Sequence, residues 1–195
     1  MDVKLLAVVG PSCAGKDTLV NKLVHTHAEL VQSIYRTTTR PRRYNEMYSS
    51  QYEFITEKQF LQDMKWRKFA EATRYRGWYY GTRISNILPG KICVAAMDIK
   101  ALTQIKQNCP GLGLRVAYVD APLKVRIRRY KSREGKATFE MYRRMIADGW
   151  AYRHALEDIR KLGVAYTYLP NTMGLYAKVS QTVTFCNDWN RRAIF

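Results

Sequence analysis

Gly10-Pro11-Ser12-Cys13-Ala14-Gly15-Lys16-Asp17-Thr18 follows an apolar run, Val3 to Val9, and precedes Leu19, Val20, Leu23 and Val24 at helical spacing. The order is strand, glycine loop, helix. Gly10 and Gly15, five positions apart, let the loop wrap so that successive backbone N–H groups point inward. The helix N-terminus behind it adds partial positive charge, so the pocket suits a polyphosphate. Gly10, Ser12, Cys13, Ala14 and Gly15 form the cradle, and Lys16 adds a mobile charge for the outer phosphates. The usual loop continues with a serine or threonine whose hydroxyl ligates magnesium. Asp17 stands there instead, and Thr18 comes one later.

The chain of 195 residues suits one compact domain with smaller lobes inserted into a shared core. Its apolar content of 47% is enough for a real core. No apolar stretch approaches the roughly 20 residues that cross a bilayer, and the first apolar run is too short for a secretory signal, so a cytoplasmic protein is expected. Cys13, Cys93, Cys109 and Cys186 lack paired spacing, which argues against a zinc site or a disulfide framework. Thirty-three Lys and Arg against 16 Asp and Glu leave a formal charge of +17, which attracts polyanions. Residues 124 to 144 alone carry nine Lys/Arg against two Glu, and Arg36, Arg40, Arg42 and Arg43 form a second group. Two clusters fit two phosphate groups; the same excess can also give salt-sensitive, nonspecific nucleic-acid contact.

Along the chain, the helix after the loop is expected to end near His27 or Leu30. Ser33-Ile34-Tyr35 reads as a short strand before a threonine- and arginine-rich loop, Thr37 to Glu46. Tyr52 to Ile55 resumes as a strand, and Thr56 with Gln59 form a capping-box pair opening a short helix. Lys68 to Thr73 alternates like a strand, and Tyr75 to Thr82, with Gly77 and Gly81, reads as an aromatic hairpin with glycine at its turn. Leu114 to Val119 is a buried-type strand, with Asp120-Ala121-Pro122 expected to cap the following helix. Val164 to Leu169 makes a last strand, and Leu175 to Asn187 a closing helix.

Together these features resemble the guanylate kinase family of nucleoside monophosphate kinases, from about Val3 to Asn171. The phosphate loop matches Gly10 to Thr18. The family's Thr-Thr-Arg-x-x-Arg-x-Gly-Glu segment matches Thr38-Thr39-Arg40-Pro41-Arg42-Arg43-Tyr44-Asn45-Glu46, with Asn45 replacing glycine. Its Tyr-x-Phe matches Tyr52-Glu53-Phe54. Its base-reading glutamate and the end of its Tyr-Tyr-Gly-Ser/Thr element keep their separation of eleven in Glu71 and Thr82. Of its Asp-x-Asp only Asp98 remains; the first position is Ala96. A further departure is Arg36, where the family has a serine that touches the base.

The resemblance implies roles. Arg40, Arg43, Tyr52 and Tyr80 would hold the acceptor phosphate in line with the γ-phosphate of ATP over Lys16. Glu71 would accept from guanine N1–H and the 2-amino group, with Thr82 and Asp98 completing the base contacts. Arg36 can fork onto guanine O6 and N7, or equally meet a modified base, a pyrimidine carbonyl or a phosphate. Arg129, Arg133 and Arg143 or Arg144 would close over the triphosphate from a lid, and Asn171 would lie beside the donor adenine. Mg2+ would bridge the donor phosphates, with Asp17, Thr18 and Asp98 as candidate ligands. The plain alternatives are surface arginines and core tyrosines for the phosphate grip, a solvent-facing strand carboxylate for Glu71, and a basic helix face awaiting nucleic acid for the lid.

The expected fold is a three-layer α/β domain with a mainly parallel sheet. Its core would comprise 1–33, 90–125 and 151–195, with a strand-rich monophosphate-binding insertion at 34–89 and a helical lid at 126–150. The expected reaction is ATP + (d)GMP giving ADP + (d)GDP, by a monomer or homodimer. Competing readings are a kinase of another or modified nucleoside monophosphate or of ribose bisphosphate, a noncatalytic interaction module, and a basic nucleic-acid binder. The Gly-Lys-Asp loop resembles the ribose bisphosphate kinases, whereas Arg40, Arg43 and Glu71 favour a nucleotide.

Overall fold

The computed structural model describes residues 3–42, 52–75, 77–135 and 138–191. Its centre is strand β1, Lys4–Val9, whose residues alternate between two apolar layers. Leu5, Ala7 and Val9 face one cluster, built from α3 (Ile99–Asn108) and α6 (Ala155–Lys161). Leu6 and Val8 face the other, built from α1 (Lys16–Thr26) and α7 (Leu175–Arg191). A parallel strand buried on both faces has no polar positions to spare, which is why the run reads as continuously apolar.

β1 is flanked by β7 (Ile92–Met97) and β8 (Gly113–Val119), with β2 (Val31–Ser33) and β9 (Ala165–Leu169) outside them. All four pairings are parallel, giving the order β2-β7-β1-β8-β9. A second sheet has the order β4-β3-β6-β5, from β3 (Arg36–Thr38), β4 (Tyr52–Phe54), β5 (Phe69–Tyr75) and β6 (Trp78–Arg83). Helix α2, Glu57–Lys65, connects β4 to β5. The expected hairpin is the β5–β6 pair, and Gly77 turns it with φ of +81°. Helices α4 (Leu123–Glu134) and α5 (Phe139–Ala151) follow β8 and pack through Tyr130, Met141 and Met145. Among the described residues no helix is long and apolar enough to cross a membrane.

Some local expectations change. Ser33, Ile34 and Tyr35 do not form one strand: the chain switches sheets between β2 and β3, with Ile34 buried and Tyr35 exposed. Asp120 does not cap α4. Pro122 holds the N-cap position, and Asp120 accepts from the Tyr168 hydroxyl at 2.8 Å. Thr56 caps α2 by accepting from the Gln59 amide at 3.2 Å, but the Gln59 side chain donates to Asp63 rather than back to Thr56.

The end of β1 leaves no room for a side chain. A Cβ on Gly10 would sit 2.2 Å from the Val119 carbonyl oxygen, a backbone atom of the neighbouring strand. Gly10→Ala therefore forces β1 and β8 apart and is expected to destabilise the protein by about 2 kcal/mol. Denaturant melting without nucleotide checks this; an unchanged midpoint contradicts it.

Candidate active site

The loop between β1 and α1 bends through Cys13 (φ +61°) and Gly15 (φ +106°), and the Ala14 amide donates to the Pro11 carbonyl at 3.2 Å. Lys16 folds back over the loop, its Nζ donating to the carbonyls of Gly10 (2.6 Å) and Pro11 (3.1 Å). Burial pulls its pKa below the usual lysine value, and Asp98, Asp17 and Asp148 offset only part of that. A half-buried ammonium held on carbonyl oxygens is poised for a stronger anionic partner.

Helices α4 and α5 press basic side chains onto this loop. Arg129 donates to the carbonyls of Ala14 (2.7 Å) and Cys13 (3.2 Å) and to the Asn171 side chain (3.4 Å). Arg144 donates to the Ser12 hydroxyl at 2.6 Å. Arg143 turns outward into an exposed pair with Glu140 at 2.8 Å, so of the two neighbours Arg144 is the one at the loop. Sequence reasoning missed Asp148. Its Oδ2 accepts from the Ser12 backbone N–H at 2.8 Å and faces Arg126 at 3.3 Å. The signal was present: Asp148 shares a helix face with Met141, Arg144 and Met145 at spacings of three, four and seven.

Across from the loop stands the second sheet. Arg40 is buried, with its guanidinium 5.0 Å from the centre of the Tyr52 ring and 5.2 Å from that of Phe54. Tyr80 meets Tyr52 edge-on at 6.2 Å. Burial raises the Tyr52 pKa above the ordinary tyrosine value, so the hydroxyl stays a donor. Behind them Arg36 donates to Glu71 Oε1 at 2.6 Å, and Thr82 donates to the same oxygen at 2.7 Å. Burial works against the Arg36 charge, but Glu71 outweighs it and the guanidinium pKa rises.

Lys16, Asp17, Arg36 and Arg40 line one cleft of about 1490 Å³, together with Tyr52, Tyr80 and Asp98. Ser12, Arg133, Arg144 and Asp148 line its lid side. Glu71 and Thr82 are fully buried behind it. Thr18 is exposed beyond the cleft lining. Arg43 lies outside the described residues, as do Tyr44, Asn45 and Glu46. Among the described residues no three acidic, His or Cys side chains cluster as a metal cage. Asp17 and Asp98 nevertheless suit magnesium, which keeps most of its waters and needs one or two carboxylates beside substrate phosphates.

A glycine loop at the carboxyl end of a central parallel strand, facing a cluster of arginines and tyrosines, defines a P-loop kinase fold. The guanylate kinase family model matches residues 2–159, and the chain belongs to that family. It is 29% identical over 147 residues to the guanylate kinase of Chlamydia trachomatis serovar D, covering 73% of this chain and 70% of that one. The guanylate kinase of a Nostoc species is 32% identical over 111 residues, 55% of each chain. The crystal structure of guanylate kinase from Anaplasma phagocytophilum superposes with a TM-score of 0.66 at 15% identity, over 95% of this chain and 85% of that one. A gluconokinase from Sinorhizobium meliloti shares the fold at a TM-score of 0.55 and 12% identity, over 99% of this chain and 97% of that one.

Asp148 puts a negative charge on an amide of the anion loop. In Asp148→Asn that charge is gone, and inorganic triphosphate should bind about fivefold more tightly, roughly 1 kcal/mol. Calorimetry reads the change; equal or weaker binding contradicts it.

Proposed function

We propose that this chain transfers the γ-phosphoryl group of ATP to the phosphate of (d)GMP, giving ADP and (d)GDP. The observation that carries the reading is that Lys16 and Arg40 line the same cleft, one on an amide-rich loop and the other on an aromatic sheet. A phosphate oxygen of the monophosphate attacks the γ-phosphorus as the bond to the ADP oxygen breaks. The protein supplies cations and alignment rather than a nucleophile.

The parts take matching roles. The loop from Gly10 to Asp17 cradles the triphosphate, Lys16 neutralises its outer oxygens, and Arg129, Arg133 and Arg144 close over it. Arg40, Tyr52 and Tyr80 grip the acceptor phosphate, a role the family pattern extends to Arg43, and Asn171 borders the donor adenine. Asp17 and Asp98 would hold Mg2+, which supplies positive charge for the donor phosphates. Residues 34–89 act as the acceptor-binding insertion and 126–150 as the lid, in an enzyme suited to the cytoplasm. Nucleic-acid binding is the weaker reading, because Arg126, Arg129 and Arg144 turn inward onto Asp148 and the loop rather than outward.

Lys16→Ala and Arg40→Ala should each lower kcat/KM for GMP by about 100-fold or more. Lys16→Ala acts mainly on kcat, and Arg40→Ala also raises the KM for the monophosphate. ADP release with a panel of acceptors measures both. Phosphorylation of a ribose bisphosphate with no turnover of GMP would reject the assignment.

A further inference from the structure

The acceptor end of the cleft presents its charges in an unexpected order. Glu71 is 0% exposed and absent from the cleft lining, whereas Arg36, 8% exposed, lines it. Arg36 lies over the carboxylate. Its Nη2 donates to Glu71 Oε1 at 2.6 Å, its Nε to the Thr82 hydroxyl at 3.3 Å and its Nη1 to the Ala96 carbonyl at 3.3 Å. Positions 36 and 96, where the sequence departs from the family pattern, are thus in contact. With Thr82 also donating to Oε1, that oxygen is taken twice, and Oε2 is buried without a hydrogen-bond partner.

A guanidinium carries five N–H donors. The three bonds use one each on Nε, Nη1 and Nη2, which leaves one N–H on each terminal nitrogen. Those two N–H groups sit on the only member of the Arg36–Glu71 pair that lines the cleft. Used together as a fork, they select two adjacent acceptors. Guanine offers such a pair at O6 and N7, while adenine places an amino donor beside N7 and meets the fork with like polarity.

We infer that Arg36 reads the acceptor base through O6 and N7, and that Glu71 is a positioning residue that holds Arg36 rather than a reader of N1–H and the 2-amino group. The inference rests on the nucleoside monophosphate kinase reading and deepens it. The 2-amino group then makes no bond to Glu71, so its loss is tolerated. N7 is engaged, so its loss is not.

Steady-state kinetics with ATP and four acceptors, GMP, IMP, 7-deaza-GMP and AMP, decides the matter on the unaltered protein. IMP keeps O6 and N7 and should fall within roughly fivefold of GMP in kcat/KM. The 7-deaza compound should be roughly 10- to 100-fold worse, and AMP worse still. IMP at least 100-fold below GMP, with 7-deaza-GMP equal to it, overturns the inference alone and returns the reading to Glu71. No turnover of any of the four overturns the kinase reading as well. In Arg36→Ser the carboxylate is uncovered, so preference for GMP over IMP should rise about tenfold or more and 7-deaza-GMP should recover. An unchanged pattern in the variant also overturns it. Should the variant not fold, the wild-type panel still gives the answer.

Discussion

Val9, at the carboxyl end of β1, pairs with Met97 of β7 on one side and lies beside Tyr118 of β8 on the other. Parallel pairing brings the carboxyl ends of all three strands to one edge, and this register decides where charge can accumulate. The loop carrying Lys16 leaves from β1, and Asp98 follows β7. The second sheet is held opposite them, because β3 follows β2 directly after a two-residue switch. Gly10 lets the loop start hard against the Val119 carbonyl, at the edge where the strand ends meet.

A formal charge of +17 makes such a cleft costly unless neighbouring groups offset it. The structure does this with few acids, each set against a cation or a backbone amide. Asp148 faces Arg126 and the Ser12 amide, Glu71 faces Arg36, and Asp63 sits between Lys68 (2.9 Å) and Arg83 (2.7 Å). The Asp63 carboxyl consequently lies below the ordinary carboxylate range although burial opposes this. Where acids run out, phosphate is the natural complement, and Lys16 waits on two carbonyl oxygens.

The parts legible in the sequence are those whose chemistry demands fixed spacing. The glycine loop is one, since wrapping an anion in amides needs glycine at set positions. Glu71 and Thr82 are another: eleven residues apart in sequence, they pair across the β5–β6 hairpin. What stayed hidden depends on long-range placement. Asp148 meets Ser12 across 136 residues, and its helix-face spacing shows which side it shares with Arg144 but not the amide it reaches. Arg36 and Glu71 were each recognisable, but not that one would lie over the other, because a side chain's order in a buried stack is set by packing. The apolar Ile34 suggested strand continuity, yet a change of sheet buries that residue equally well.

The central claim is a pair of anion sites facing each other across one cleft. Equilibrium binding of a dinucleoside pentaphosphate joining adenosine to guanosine tests it most directly, since the molecule must reach from the Gly10–Lys16 loop to Arg40. The account predicts one bound molecule per chain that displaces both ATP and GMP. A ternary complex, with either nucleotide still bound beside the saturating dinucleotide, would contradict it.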